Sequence, residues 1–227
     1  MTTIAQRLET VRQRIRDAEI RYRRAPGSVQ LLAVSKTRPA ADLREAFACG
    51  QRAFGENYLQ EAREKQEQLA DTAIEWHFIG PLQSNKTKAV AACVDWVHSV
   101  DRLKLAKRLN SHRPDDMEPL NICLQVNISA EDTKAGVAPA GVAELAAEFA
   151  GFPRLRLRGL MCIPAPARDE PARRAPFRAL RELQEKLISG GMALDTLSMG
   201  MSADLEEAIA EGATLVRVGT DIFGARQ

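Results

Sequence analysis

The sequence predicts an α/β fold, a single (β/α)8 barrel of the TIM type with one extra helix at its N-terminus. Three observations carry that prediction. Short apolar segments alternate with helical segments eight times between residues 30 and 219, the pattern of parallel β/α units. Several of the apolar segments are hydrophobic at successive positions, as strands are when helices cover the outside. No GxGxxG follows the first strand, which removes the main argument for an open dinucleotide-binding sheet. The chain has 227 residues, and eight units in about 200 residues fit the small end of the barrel class. No internal linker divides it, so one domain is expected over 1–227, with the extra helix in 1–25 and the barrel in 30–227.

The first element is a helix expected over 4–24. Ile4, Leu8, Val11, Ile15, Ala18 and Tyr22 recur at spacings of three and four, which makes one apolar stripe. Its other face carries Arg7, Arg12, Arg14, Arg16, Arg21, Arg23 and Arg24. Such a face suits RNA or an acidic partner, but a solvated face on a docked helix is the plainer reading. Pro26-Gly27 ends the element.

Strands are expected at 30–36, 52–56, 75–80, 95–99, 120–128, 156–163, 195–199 and 214–219. Helices are expected near 39–49, 57–70, 85–92, 101–110, 139–150, 173–189 and 202–211. Pro39 and Pro139 suit helix starts, and Gly50, Gly151, Gly190 and Gly212 suit helix ends. The segment from Pro164 to Pro176 reads as an exposed loop. Asp221 to Arg226 adds one short turn.

Composition excludes several classes. The net charge of +2 gives no support to a nucleic-acid partner. No run is long enough to span a bilayer, and Met1 to Glu9 has no apolar core of the signal-peptide kind. Cys49, Cys93, Cys123 and Cys162 form no CxxC pair. His77, His98 and His112 are dispersed, so no metal site is expected. A cytoplasmic protein with reduced thiols follows.

In such barrels the chemistry sits at the C-terminal ends of the strands. The first strand delivers Lys36 there, at the end of an inward stripe of Leu32 and Val34. Burial disfavours the charged form of a lysine, and a neutral amine is the reactant for Schiff-base chemistry. The seventh strand delivers Ser198-Met199-Gly200-Met201-Ser202, with Ser202 expected to cap the next helix. The eighth delivers Arg217, Gly219 and Thr220. Glycine turns and helix starts at these two strand ends suit a phosphate. Arg217, on the face of Leu215 and Gly219, either lies near Lys36 or pairs with a carboxylate such as Glu56 or Asp221. A lysine, a phosphate cup and polar groups between them suggest a phosphorylated aldehyde, with pyridoxal 5′-phosphate the foremost candidate.

AVSKTRP at 33–39, FGENYLQE at 54–61, WHFIGPLQSNK at 76–86, GLMCIP at 159–164, LSMGMSADLEEAI at 197–209 and VRVGTDIFGAR at 216–226 resemble the pyridoxal phosphate homeostasis proteins. The resemblance covers nearly the whole chain. It implies a barrel similar to the N-terminal domain of alanine racemase, with the cofactor held as a Schiff base on Lys36. It places Ser202, Gly219 and Thr220 at the phosphate, Arg217 at the pyridine nitrogen and Asn57 near the ring hydroxyl, with Met199 beside them. Lys134 matches a lysine implicated in a second encounter with the cofactor in some members; an exposed loop lysine is the plainer reading.

The family implies buffering or delivery of the cofactor rather than catalysis, with an influence on amino-acid and keto-acid balance. Its partners would be the cofactor and, transiently, enzymes awaiting it; a monomer is expected. A racemase is the alternative, but it needs a base on each face of the substrate carbon. Tyr22 and Tyr58 are the chain's tyrosines, and Tyr58 is expected to pack beside the ring. A Schiff-base aldolase acting on phosphorylated sugars is the third reading.

Overall fold

Eight parallel strands close into a barrel in chain order in the computed structural model, which describes residues 2–129 and 135–225. They are β1 (Gln30–Val34), β2 (Ala53–Glu56), β3 (Glu75–Phe78), β4 (Trp96–Val100), β5 (Leu120–Gln125), β6 (Leu155–Met161), β7 (Thr196–Ser198) and β8 (Leu215–Val218). β8 returns beside β1 with Arg217 opposite Leu32, so no edge is left open. Between and around them run α1 (Ile4–Arg21), α2 (Ala40–Ala48), α3 (Leu59–Gln68), α4 (Thr87–Ala91), α5 (Leu103–His112), α6 (Val142–Ala147), α7 (Glu170–Ser189), α8 (Leu205–Ala210) and α9 (Thr220–Phe223). Most strands stop one to three residues short of the apolar run that announced them. β1 ends at Val34 because Thr37 takes a left-handed φ of 63° and Arg38 donates back to the Ser35 carbonyl. That tight turn, not the strand, carries Lys36.

Alternation divides the side chains into two cores. The larger lies between strands and helices and includes Leu43, Phe54, Leu105, Leu160 and Phe177, all fully buried. Each such side chain contributes about 1.5–3 kcal/mol of burial. The smaller lies inside the barrel, with Leu32, Ala53 and Leu215 against Ile79 and Trp96 with Cys123 and Met161. Several of the remaining inward positions are polar, among them His77, His98, Ser198 and Arg217, and they lead to the site.

The apolar stripe of α1 docks as expected, burying Leu8, Val11, Ile15 and Ala18. The helix stops at Arg21 rather than 24, because Arg23 adopts φ 55° and Arg24 N–H reaches the Glu19 carbonyl at 2.8 Å, a Schellman end. Several arginines of its polar face bind the protein itself. Arg14 donates to Glu206, Asp221 and the Ser202 carbonyl at 2.6–3.0 Å. Arg12 caps Cys49 and Arg24 reaches Ile209.

Two further expectations are corrected. The loop expected to Pro176 gives way at Glu170 to α7, whose first turn is capped by Asp169 on the Ala172 N–H at 2.8 Å. Pro171 fits that first turn, where no N–H is needed, and the helix carries Pro176 in its interior. Ser202 does not cap α8. The capping residue is Asp204, and its carboxylate turns back to the Met201 N–H at 2.6 Å.

α7 is fastened to the end of α8 by Glu211, which accepts from Arg174 at 2.7 Å and Arg178 at 3.1 Å. Burial pushes its carboxyl up, but the hydrogen bonds of Arg178 and Arg174 outweigh that and hold it below the usual range. A depressed carboxyl stabilises the fold above its unfolded pKa, and that stabilisation is lost as pH falls. Glu211→Gln is therefore expected to cost about 1.5–3 kcal/mol at pH 7, with the gap to wild type closing below pH 4 or so. Urea unfolding of both proteins at the two pH values checks it. Among the described residues, no helix is long and apolar enough to cross a membrane.

Candidate functional site

The turn after β1 is held from both sides. Before Lys36, the Ser35 hydroxyl donates to Glu56 at 2.6 Å. After it, the Thr37 N–H donates to Glu61 at 2.7 Å. Lys65, on α3, stands between these anchors. Its buried ammonium donates to the Ser35 carbonyl at 2.8 Å, Glu56 at 2.7 Å and Glu61 at 3.2 Å, which uses all three of its protons. Glu56 is almost fully buried, and burial raises its pKa more than Lys65 and Ser35 lower it. The sequence placed Glu56 as a possible partner of Arg217; its cation is Lys65 instead.

Lys36, Asn57, Ser202, Arg217, Gly219 and Thr220 line one cavity of about 310 Å³ at the C-terminal ends of the strands. That volume is at the lower end of small-ligand clefts, which run to roughly 300–1,000 Å³. Ile79, Ile163 and Met201 supply apolar wall. Met199 does not line the cavity: it is fully buried in the outer core. Alternation explains the exchange, since Ser198 faces inward and Met199 outward. Lys134 lies outside the described residues. Tyr58 is 55% exposed and faces a neighbouring cleft with Arg63, Pro81 and Lys86, not the cavity. A larger, mostly apolar groove of about 540 Å³ lies beside α1 and the starts of β1 and β2, at the end of the barrel away from Lys36.

Arg217 puts a guanidinium in the cavity wall. Nη1 donates to the Ser198 carbonyl at 2.6 Å and hydroxyl at 2.8 Å, and Nη2 to the Cys162 carbonyl at 2.8 Å. Its partners are thus neutral oxygens. Asp221, the other carboxylate considered for it, binds Arg14. Burial lowers the Arg217 pKa from the ordinary arginine value, yet arginine remains charged at neutral pH. Three of its five N–H groups are committed to the wall. The nearby Asn57 Oδ1 is buried without a hydrogen-bond partner among the described residues.

The sequence reading missed what stands behind Arg217. His77 and His98, dispersed in the chain, meet inside the barrel with Nδ1 and Nε2 2.9 Å apart. The available signal was the alternation of β3 and β4, which sends both inward. Gly80 is explained by a close approach: a Cβ there would collide with the Asn57 carbonyl. Gly80→Ala is expected to push the Asn57 segment away at a cost of about 1–3 kcal/mol, measurable as a lowered Tm. A Tm unchanged within error would show that the loops yield freely.

A closed parallel barrel with an amine, a guanidinium and an unsatisfied amide at its mouth defines a class, the barrels with a small-ligand pocket at the C-terminal ends of their strands. The comparisons narrow it. The family model described as alanine racemase, N-terminal domain, matches residues 7–227. The pyridoxal phosphate homeostasis protein of Pseudomonas aeruginosa is 57% identical over 226 residues, covering 100% of this chain and 97% of that one. That of Escherichia coli K12 is 50% identical over 229 residues, covering 100% and 98%. The chain belongs to the pyridoxal phosphate homeostasis protein family. Among solved structures, PipY of Synechococcus elongatus, determined with PLP bound, matches with TM-score 0.85 and 39% identity over 98% of this chain and 100% of that one. Alanine racemase from Corynebacterium glutamicum, at 16% identity and TM-score 0.68 over 96% of this chain and 62% of its own, shares the fold.

Proposed function

We propose that the chain binds pyridoxal 5′-phosphate in the Lys36 cavity and serves its homeostasis, as a buffer or donor of the cofactor. The observation that carries this reading is the meeting of Lys36, Arg217 and Asn57 in one cavity. The residues fit the group. Asn57 Oδ1 is a buried acceptor lacking a donor, which a ring hydroxyl would supply. Arg217 has two uncommitted N–H groups for a ring nitrogen. Ser202, Gly219 and Thr220 form the part of the wall suited to a phosphate, with the Ser202 carbonyl pinned outside by Arg14 at 3.0 Å.

The cofactor supplies an aldehyde for an amine and a ring that can withdraw electrons. The protein's own groups limit the second property. An arginine facing the ring nitrogen disfavours its protonation, whereas an acid would promote it. Lys36 gives one basic group, and Tyr58, turned to the neighbouring cleft, does not supply a second across the cavity. Both features favour retention and release over racemisation, and a carrier without dedicated catalysis is the reading adopted. Its partners are then the cofactor and enzymes that receive it in transient encounters, in a cytoplasmic monomer with no role for nucleic acid or membrane.

The test is the visible spectrum of the purified protein before and after borohydride, followed by peptide mapping. A yellow band that reduces to an adduct on the Lys36 peptide is expected. A colourless protein that stays colourless with added pyridoxal phosphate overturns the reading, and the aldolase alternative then leads. Sustained racemisation of alanine by the loaded protein would favour the enzyme reading.

A further inference from the structure

Behind Arg217 a file of polar side chains crosses the barrel interior. Arg217 Nη1 donates to Ser198 Oγ at 2.8 Å. Ser198 Oγ lies 2.8 Å from His98 Nδ1. His98 Nε2 lies 2.9 Å from His77 Nδ1. His77 Nε2 has no aligned hydrogen-bond acceptor among the described residues, and the Glu75 carboxylate lies 3.3 Å from it. Ser198, His98 and His77 have no exposed surface. Glu75, the first residue of β3, stands at the opposite end of the barrel from the cavity.

The two ends dictate the direction of every bond. A guanidinium only donates and an ionised carboxylate only accepts, while a serine, or an imidazole with one ring proton, can do either. Ser198 Oγ accepts from Arg217, so its single proton goes to His98 Nδ1. His98 then carries its proton on Nε2 and gives it to His77 Nδ1. His77 is left with Nε2–H, facing Glu75. The reverse order would aim a lone pair of His77 at the carboxylate and leave the Ser198 proton without an acceptor. His98 is neutral in this arrangement, since burial first, then His77 and Arg217, push its pKa well below the ordinary histidine value. Trp96 stacks on His77 at 5.4 Å and 8°, which fixes the ring plane.

We infer that Ser198, His98, His77 and Glu75 form a one-way hydrogen-bond relay that positions Arg217, so that a carboxylate at the far rim sets the guanidinium presented to the cavity. These are positioning residues, not catalytic ones. The inference rests on the proposed cofactor only for its effect on binding; the relay itself is a property of the protein alone. Glu75→Gln is the informative variant, because an amide can donate as well as accept and the chain loses its fixed direction.

Long-range proton–nitrogen NMR of the cofactor-free wild type is expected to show His77 and His98 both as Nε2–H tautomers. Glu75→Gln is expected to populate the Nδ1–H form of at least one. An Nδ1–H tautomer in the wild type, or unchanged tautomers in the variant, overturns the relay. In the loaded protein, Glu75→Gln and Ser198→Ala are expected to shift the visible band and release cofactor several-fold faster on dialysis, with Ser198→Thr restoring both. The Lys36 adduct should still be trapped by borohydride. An unchanged band and release rate in Glu75→Gln overturns the positioning role. A wild type that takes up no cofactor defeats the proposed function while leaving the tautomer result to stand by itself.

Discussion

With Lys36 replaced by alanine, borohydride is expected to fix no cofactor to the chain, and the visible band of the loaded protein is lost. The fold should be nearly unaffected. The turn that carries Lys36 is anchored on both sides of the lysine, through the Ser35 hydroxyl and the Thr37 N–H. A change within about 0.5 kcal/mol means a Tm within roughly 2 °C for a chain of this size. Residual binding through Arg217, Asn57 and the two strand-end loops should persist, weaker by about two decades, or some 2.7 kcal/mol. Spectrophotometry, equilibrium dialysis and calorimetry on one preparation separate these effects. An intact band in the variant removes Lys36 from the site.

The second large effect is expected one layer away, at Lys65. Lys65→Met keeps an unbranched stem and removes the ammonium, which strands the buried Glu56 carboxylate that Lys65 binds at 2.7 Å. Breaking one side of a buried ion pair costs about 3–5 kcal/mol. The pH dependence has a definite sign. The folded-state pKa of Glu56 is already raised by burial, and losing its cation raises it further. A carboxyl with a raised folded pKa stabilises the fold at pH below its unfolded value, and that contribution is lost as pH rises through the folded one. The deficit of the variant should therefore be largest near neutrality and shrink toward pH 4–5. The same variant frees the Ser35 carbonyl and Glu61, so the Lys36 turn loosens and cofactor is taken up more weakly. Denaturation midpoints at the two pH values check the first claim, and dialysis checks the second. A deficit that does not vary with pH would mean that Glu56 finds another cation.

The barrel was legible because its signal is repetitive. Eight apolar runs separated by helical ones leave few alternatives, and small errors at the ends of elements do not change the topology. Lys36, Arg217 and the two glycine-bearing strand ends were legible for the same reason, since a barrel delivers strand ends to one mouth. Single side chains were harder. Met199 was expected at the cofactor, yet its side chain packs in the outer core; β7 is only three residues long, too short for the sequence to show which neighbour faces inward. Ser202 was read as a cap, but the helix starts two residues later at Asp204, whose carboxylate bonds the Met201 N–H rather than the helix. Pro176 suggested a loop, yet α7 runs through it, because a long helix packed through Phe177, Leu180 and Leu187 outweighs one missing N–H. The Lys65 clamp was not legible, and for the His77–His98 pair alternation could place both rings inward but not show that they meet. They join residues on different elements, and only the curvature of the closed sheet brings them together.

The contacts of Arg14 bear on the order in which the protein can be made. α1 is fastened through Arg14 to Glu206 and Asp221, which are made 192 and 207 residues after it. Until they emerge, α1 has no partner for that arginine and its apolar stripe has lost much of its seat. The same late segment carries Ser202, Gly219 and Thr220. A nascent chain can therefore close neither its barrel nor its cavity before this segment has emerged and β8 has paired with β1, so ligand capture waits on the meeting of the two ends of the barrel.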